Sequence, residues 1–194
     1  MLQRMTFETF DQTGNGADAQ GRSTLKAAFT AASTFATYPE GWLLLMGTHG
    51  SGKTHLAVAI AQQRISHGEV VFFAFVPDLL DHLRGTFNPG NPVEYDQLFE
   101  QVKSVPILIL DDLGAESSTP WAQEKLYQIV VHRHNARLAT VITTYLTMED
   151  IETSHPRMAS RLKDATTVHW APISAPDYRD PQPRQPARPQ QRPR

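Results

Sequence analysis

The chain is 194 residues long, enough for one α/β domain with a sizeable core and too short for two comfortable ones. Hydrophobic residues at 40% and charged residues at 20% are ordinary for a globular protein, and the absence of cysteine excludes a disulfide framework or a thiolate zinc site. The formal net charge of −2 is unevenly spread: residues 181–194 (PQPRQPARPQQRPR) hold four Arg and no acid, leaving −6 elsewhere, so a globally basic nucleic-acid binder is excluded while a local basic surface is not.

In chain order, residues 1–40 read as a lead-in segment, 41–180 as the folded domain and 181–194 as a disordered tail rich in Pro, Gln and Arg. The opening MLQRMTFETF lacks the apolar core of a signal peptide. The longest apolar run, near Val70–Val76, is strand-sized and far short of the roughly 18–20 residues that cross a bilayer. The expectation is a cytoplasmic protein with no membrane partner.

Five runs are predicted as strands: WLLLM (Trp42–Met46), VVFFAF (Val70–Phe75), PILIL (Pro106–Leu110), ATVITT (Ala139–Thr144) and TTVHW (Thr166–Trp170). Their near-continuous hydrophobicity suits strands covered on both faces, as in a parallel sheet. Between them, Leu56, Ile60 and Ala61 mark one helix and Ala122, Leu126, Ile129 and Val130 another. The alternation points to a doubly wound α/β sheet.

Directly after the first strand, Gly47-Thr48-His49-Gly50-Ser51-Gly52-Lys53-Thr54 satisfies G-x-x-x-x-G-K-[ST] and opens a helix. Glycines let the backbone turn its N–H groups toward phosphates, and the helix N-terminus adds positive potential. Candidate nucleotide contacts run from Gly47 to His55, with Lys53 for the outer phosphates and the Thr54 hydroxyl for Mg²⁺. The third run leads into Asp111 and Asp112, which a strand of this kind delivers to the ligand-binding edge of the sheet. Asp111 is assigned to the Mg²⁺ shell and Asp112 to orienting the attacking water, with ATP and Mg²⁺ as the expected cofactors. His132 and His134 sit two apart on a helix, on different faces, and cannot share a metal; His49 and His55 read as solvated flanks of the loop.

With DDLGAESSTPWAQEKLYQIVVHRHNARLATVITT and HPRMASRLKD following in order, the chain from Met5 to Arg179 closely resembles the AAA+ domain of DnaC/DnaI-type replicative helicase loaders. IstB-type transposition helper ATPases share that core, and motif order does not separate the two. The resemblance implies a three-layer αβα sandwich around a mostly parallel five-stranded sheet. It also implies a nucleotide-dependent homo-oligomer in which an arginine finger reaches the neighbouring subunit's nucleotide. Arg161 matches that finger best, with Arg157 one helical turn away, and Arg179 matches the second sensor arginine. In initiators and loaders an extra helix after the second strand lines a channel for single-stranded DNA. On that likeness Arg84 and Phe87 of VPDLLDHLRGTF face the strand, with Thr119 and Trp121 beside them, supplying phosphate pairing and base stacking.

Three departures bear on function. Tyr145 stands where such ATPases place an Asn that senses the γ-phosphate, leaving either slow hydrolysis or Thr144 as the polar contact. Asp112 stands in place of the more general Glu. The loaders' N-terminal helicase-binding domain is not in evidence, since the sequence begins almost at the ATPase. The readings that stand are therefore a loader-like ATPase of DNA replication, a transposition helper acting on duplex DNA, and a hydrolysis-poor nucleotide-gated binding module.

Overall fold

The computed structural model describes residues 2–86, 93–116 and 119–180; Phe87 and the tail at 181–194 lie outside them. A 3₁₀ turn at Leu2–Arg4 precedes α1 (Ala19–Thr37), β1 (Trp42–Gly47) and α2 (Lys53–Ser66). There follow β2 (Val71–Phe75), α3 (Val76–Thr86), α4 (Val93–Ser104), β3 (Ile107–Leu113) and α5 (Pro120–Asn135). The chain then runs through β4 (Ala139–Thr144), α6 (Met148–Ser154), α7 (Pro156–Leu162) and β5 (Val168–Ile173).

The five strands form one sheet in the order β2-β3-β4-β1-β5, and every pairing is parallel. Leu110, Ile142, Leu44 and Trp170 lie in register across it. Alternation along each strand divides the core. Trp42, Leu44, Leu108, Leu110 and Ile142 face one layer, with α3 to α7; Leu43, Leu45, Ile107, Ile109 and Val141 face the other, with α1 and α2. That is the three-layer αβα sandwich. Its strand order reverses beside β1, where doubly wound sheets open a crevice at the carboxyl ends of the strands.

Several boundaries differ from the sequence reading for identifiable reasons. β3 continues through both acids to Leu113, with a bulge between Leu110 and Leu113 where its register with β4 shifts. β5 starts only at Val168: Asp164 captures the Thr166 N–H and hydroxyl in an Asx turn, which takes those residues out of the sheet. Residues 1–40 are also more than an approach to the sheet. Asp18 caps α1 through the Gly21 N–H at 2.7 Å, and Leu25, Ala28, Ala32, Phe35 and Ala36 form its buried stripe against α2 and β5. Burial of Leu25 and Phe35 contributes roughly 1.5–3 kcal/mol each.

One polar staple holds the far layer. Arg133, fully buried near the end of α5, donates to Thr140 Oγ1 at 2.9 Å and to the carbonyls of Val105 at 2.8 Å, Lys103 at 3.1 Å and Ala139 at 2.6 Å. Burial pushes its pKa down to about 10, so it remains a cation at neutral pH. Among the described residues no helix is long and apolar enough to cross a membrane.

Candidate nucleotide site

The phosphate loop turns at the carboxyl end of β1 and hands over to α2. Gly50 at φ 69° and Gly52 at φ 99° occupy the left-handed region, where a Cβ is strained. Space forbids one as well: a Cβ at position 50 would strike the Asp177 carboxylate, and one at 52 the Phe10 ring. These two positions make the loop both curled and closely covered.

Behind the loop the charged groups interlock. Lys53 is buried and donates to the carbonyls of Gly47 at 2.7 Å and Thr48 at 2.8 Å. Burial lowers its pKa, and the nearby charges of Asp112 and Asp111 oppose that fall. The Thr54 hydroxyl donates to the Asp111 carboxylate at 3.0 and 3.1 Å, and the Thr143 hydroxyl donates to the same group at 2.7 Å. Burial nevertheless holds the Asp111 pKa above the usual carboxylate value, because the two hydroxyls offset only part of the desolvation. Asp112 has φ 62°, a strained conformation for a side-chain-bearing residue at the bulge, and its N–H donates to Thr143 Oγ1 at 2.9 Å. Thr143, which the sequence reading passed over, therefore serves both acids.

A cavity of about 450 Å³ opens beside the loop. Met5, Phe10 and Leu25 wall one side and Pro176, Tyr178 and Arg179 the other, with Lys53, Thr54 and His55 at its floor. Volume and apolar walls are those of a small-molecule site. A second cavity of about 770 Å³ across the loop takes in Thr48 and Tyr145 but none of Lys53, Thr54 or Asp111. The smaller one is thus the nucleotide candidate. Ser51 Oγ, buried at the loop with no hydrogen-bond partner, is an orphan of the kind a phosphate oxygen would satisfy. Thr54 and Asp111, an oxygen donor pair already in contact, fit a Mg²⁺ ion.

The remaining sequence-predicted residues are placed as follows. Arg179 lines the cavity, but its guanidinium is paired with Asp177 at 2.6 and 2.9 Å, and that bond lowers the Asp177 pKa to about 2. His49 and His55 are not simply solvated. His49 stacks on Tyr145 with ring centroids 5.0 Å apart, and His55 Nε2 bonds the Thr6 carbonyl at 2.8 Å while its ring meets Phe10 edge-on. Thr144 is fully buried, donating to the Leu113 carbonyl at 2.7 Å and accepting from the Leu146 N–H, so it is not the free polar contact considered for it. Tyr145 sends its hydroxyl to the Gly114 carbonyl at 2.8 Å.

Arg157 and Arg161 do not line the cavity. Arg157 is held by Glu124 at 2.7 Å and lies 3.7 Å over the Tyr127 ring. Arg161 is half-buried, and its Nε has no hydrogen-bond partner. Arg84 sits 5.0 Å over the Trp121 ring, bringing two of the proposed DNA contacts together. Trp121 also packs on the core, and Thr119 caps α5 by accepting from the Ala122 N–H at 3.2 Å. Phe87 lies outside the described residues.

Comparison with known proteins agrees with this geometry. A model of the family "IstB-like ATP binding protein" matches residues 2–179. The replicative helicase loader DnaC of Buchnera aphidicola subsp. Schizaphis graminum is 30% identical over 119 residues, 61% of this chain and 48% of the relative. The chain spans about half the length, or less, of the curated relatives it matches. Among solved structures, a DnaC helicase loader superposes with TM-score 0.74 at 23% identity, covering 89% of this chain and 98% of that one. The replication initiator DnaA bound to AMPPCP and single-stranded DNA gives 0.68 at 17% identity, covering 90% and 51%. At these identities the two structures establish the fold, a P-loop AAA+ sandwich.

Proposed function

The chain belongs to the family of IstB-like ATP-binding proteins, and from that premise we propose that it is an ATPase of DNA replication that grips single-stranded DNA under the control of ATP. One observation carries the nucleotide half of this reading: Thr54 and Thr143 both donate to Asp111 while Lys53 is held on the carbonyls of the glycine loop, which opens on a cavity. Each member has a task. Lys53 leaves the loop carbonyls to meet the outer phosphates, as a cation despite its lowered pKa. Thr54 and Asp111 would hold Mg²⁺, and Asp112, set apart by the bulge, orients the attacking water. Bound Mg²⁺ would supply neutralisation of the phosphate charge, which also relieves the cost of burying the Asp111 carboxylate.

The other half is assembled between subunits. Arg161 lies away from its own chain's cavity, half-buried on the last turn of α7, which suits an arginine finger offered to a neighbour. Arg157 is already occupied by Glu124 and Tyr127 and is the weaker candidate. Closure of that interface would order a channel in which Arg84 and Trp121 meet the DNA backbone and bases. The relatives' names suggest a replicative helicase as the protein partner. Tyr145, tied to Gly114, is not poised as the usual amide would be, so hydrolysis is expected to be slow.

The family model is that of IstB-like ATP-binding proteins, which keeps the second reading drawn from the sequence resemblance, a transposition helper acting on duplex DNA. Fluorescence anisotropy of a labelled oligonucleotide separates the two, with ATP, ADP or no nucleotide and with single-strand and duplex competitors. ATP-dependent binding with single-strand preference supports the loader-like reading. Duplex preference, or binding indifferent to nucleotide, contradicts it.

A further inference from the structure

Between the phosphate loop and α7 runs a line of contacts that the nucleotide chemistry above does not use. His49, inside the loop, stacks on Tyr145 at the end of β4 with ring centroids 5.0 Å apart and planes 30° from parallel. The Tyr145 hydroxyl donates to the Gly114 carbonyl at 2.8 Å, and the Gly114 N–H donates to Glu116 Oε2 at 2.8 Å. Glu116 Oε1 then faces His155 Nε2 at 3.4 Å. One ring stack and three atom pairs make up the line, which crosses from the loop after β1 past the ends of β4 and β3 to the N-cap of the arginine-bearing helix.

Its far end is built as a lever. His155 is the N-cap of α7, its carbonyl accepting from the N–H groups of Met158 and Ala159 at 3.0 Å each. Pro156 follows and fixes the entry angle. The His155 side chain does not cap the helix; it turns away toward Glu116. Any shift of that imidazole is thus passed to the first turn of a seven-residue helix that carries Arg157 and Arg161 on one face.

The middle of the line has slack. The side chains of Glu116 and His155 are buried, at 3% and 4% exposure. One carboxylate oxygen is satisfied by Gly114, while the other makes no hydrogen bond and meets the imidazole only as a charge-pair contact at 3.4 Å. Buried acceptors left in that condition are rare in folded proteins, and a small advance of His155 or of the Gly114–Glu116 turn closes the gap. Gly114 itself, at φ 99°, is pinned: a Cβ there would meet the Leu146 side chain.

We infer that Glu116 and His155 are positioning residues: through Gly114 and Tyr145 they tie the phosphate loop of a chain to its own α7, so that the state of one subunit's nucleotide site sets where Arg161 is presented to the next. The inference rests on the proposed use of Arg161 by a neighbouring subunit. It gives Tyr145 a task that an Asn at that position, with a shorter side chain and no ring to stack on His49, would not perform.

The test is complementation in mixed assemblies. His155→Leu, Tyr145→Phe and Arg161→Ala chains are each assayed for ATP hydrolysis alone and mixed with Asp112→Asn chains, which keep Lys53 and the Mg²⁺ residues to bind ATP, lack the group that orients the attacking water, and carry an intact Arg161. Affinity for a fluorescent ATP analogue is measured in parallel. His155→Leu should keep its nucleotide affinity and lose ATPase rate by tenfold or more, within the about 10²-fold that an ångström-scale misplacement costs. Asp112→Asn chains should restore it, because the defect lies in the arginine that is given and not in the site that receives. Tyr145→Phe, a change at an exposed side chain that leaves folding intact, should show the same pattern more weakly. His155→Gln, which keeps a donor facing Glu116, should recover most of the rate.

Wild-type turnover in His155→Leu overturns the inference. So does a loss that Asp112→Asn chains fail to restore while they do restore Arg161→Ala, since the damage is then within the variant's own site. An Arg161→Ala chain that hydrolyses normally, or that mixing does not rescue, instead overturns the two-subunit reading and this inference with it.

Discussion

The crevice at the end of β1 and the surface of α7 carry the two groups of charged residues on which the proposed chemistry depends, and they are built differently. In the crevice Lys53, Thr54 and Asp111 are each bonded to other groups of the same chain, and Thr143 braces the acids from β4. On α7, Arg157 is bound by Glu124 and Tyr127, whereas Arg161 leaves its Nε buried and unbonded. Buried, mutually bonded groups hold a geometry without outside help. Arg161, which does not line its own chain's cavity, is on the proposed reading completed by a neighbouring subunit's nucleotide. On the proposed reading, the difference separates a nucleotide site that one chain forms from a hydrolytic site completed by two.

Substitution of the two arginines sharpens that contrast most. Arg161→Ala should lower ATP turnover on the order of 10³–10⁵-fold, the range known for arginine fingers, with ATP affinity changed little. Arg157→Ala should cost less than about tenfold by the same comparison, its bonds being internal. Equal losses at the two positions would remove the distinction between them.

Arg133 tests whether the far layer is held independently of the crevice. Arg133→Met keeps the aliphatic stem and strips the donors from the carbonyls of Lys103, Val105 and Ala139. The expected loss is about 3 kcal/mol or more. That corresponds to a fall in Tm of roughly 2–4 °C per kcal/mol, with unchanged affinity for a fluorescent ATP analogue in the protein that remains folded. At the proposed DNA surface, Trp121→Ala should weaken single-strand binding by about 1–3 kcal/mol, the stacking contribution, and Arg84→Ala should flatten its salt dependence. A Trp121→Ala protein that binds DNA as before would leave Trp121 a core anchor only.

The smallest effect runs the other way. Asp111 is a buried carboxylate with a raised pKa, so without nucleotide or Mg²⁺ its charge destabilises the fold at neutral pH. Asp111→Asn should raise Tm by a few degrees in EDTA, about 2–4 °C for each kcal/mol relieved. The advantage is full above the raised pKa and shrinks as the pH falls through it, because the wild-type carboxyl then becomes neutral too. Added Mg²⁺ and ATP should stabilise the wild type and not the variant. A variant less stable at every pH would show that the bonds from Thr54 and Thr143 outweigh the burial.

The contrast between the two regions also explains what could be read from the sequence. The loop at Gly47–Thr54 and the acids at Asp111 and Asp112 were legible because a phosphate grip needs fixed residue types at fixed spacing beside a strand. The strands were legible because burial on both faces leaves continuous apolar runs. α1 was not, since its buried stripe of Ala28, Ala32 and Ala36 gives little contrast with its polar face, and so the walls that Met5, Phe10 and Leu25 lend to the cavity were missed. Thr143 was hidden inside ATVITT, where β-branched residues already had a structural reason to be present. Thr144 was misjudged for want of the one-residue alternation that turns it into the core and Thr143 toward Asp111. Glu116 and His155 carry no spacing signal at all, because they lie far apart in sequence and meet only through the fold.

Specific ATPase activity measured against protein concentration, from nanomolar to tens of micromolar, tests the two-subunit site most directly. A site completed by a neighbour's Arg161 gives activity per chain that rises with concentration and levels off, while the Arg161→Ala protein stays low throughout. Activity per chain that is constant over the whole range, and equal in the two proteins, would contradict it.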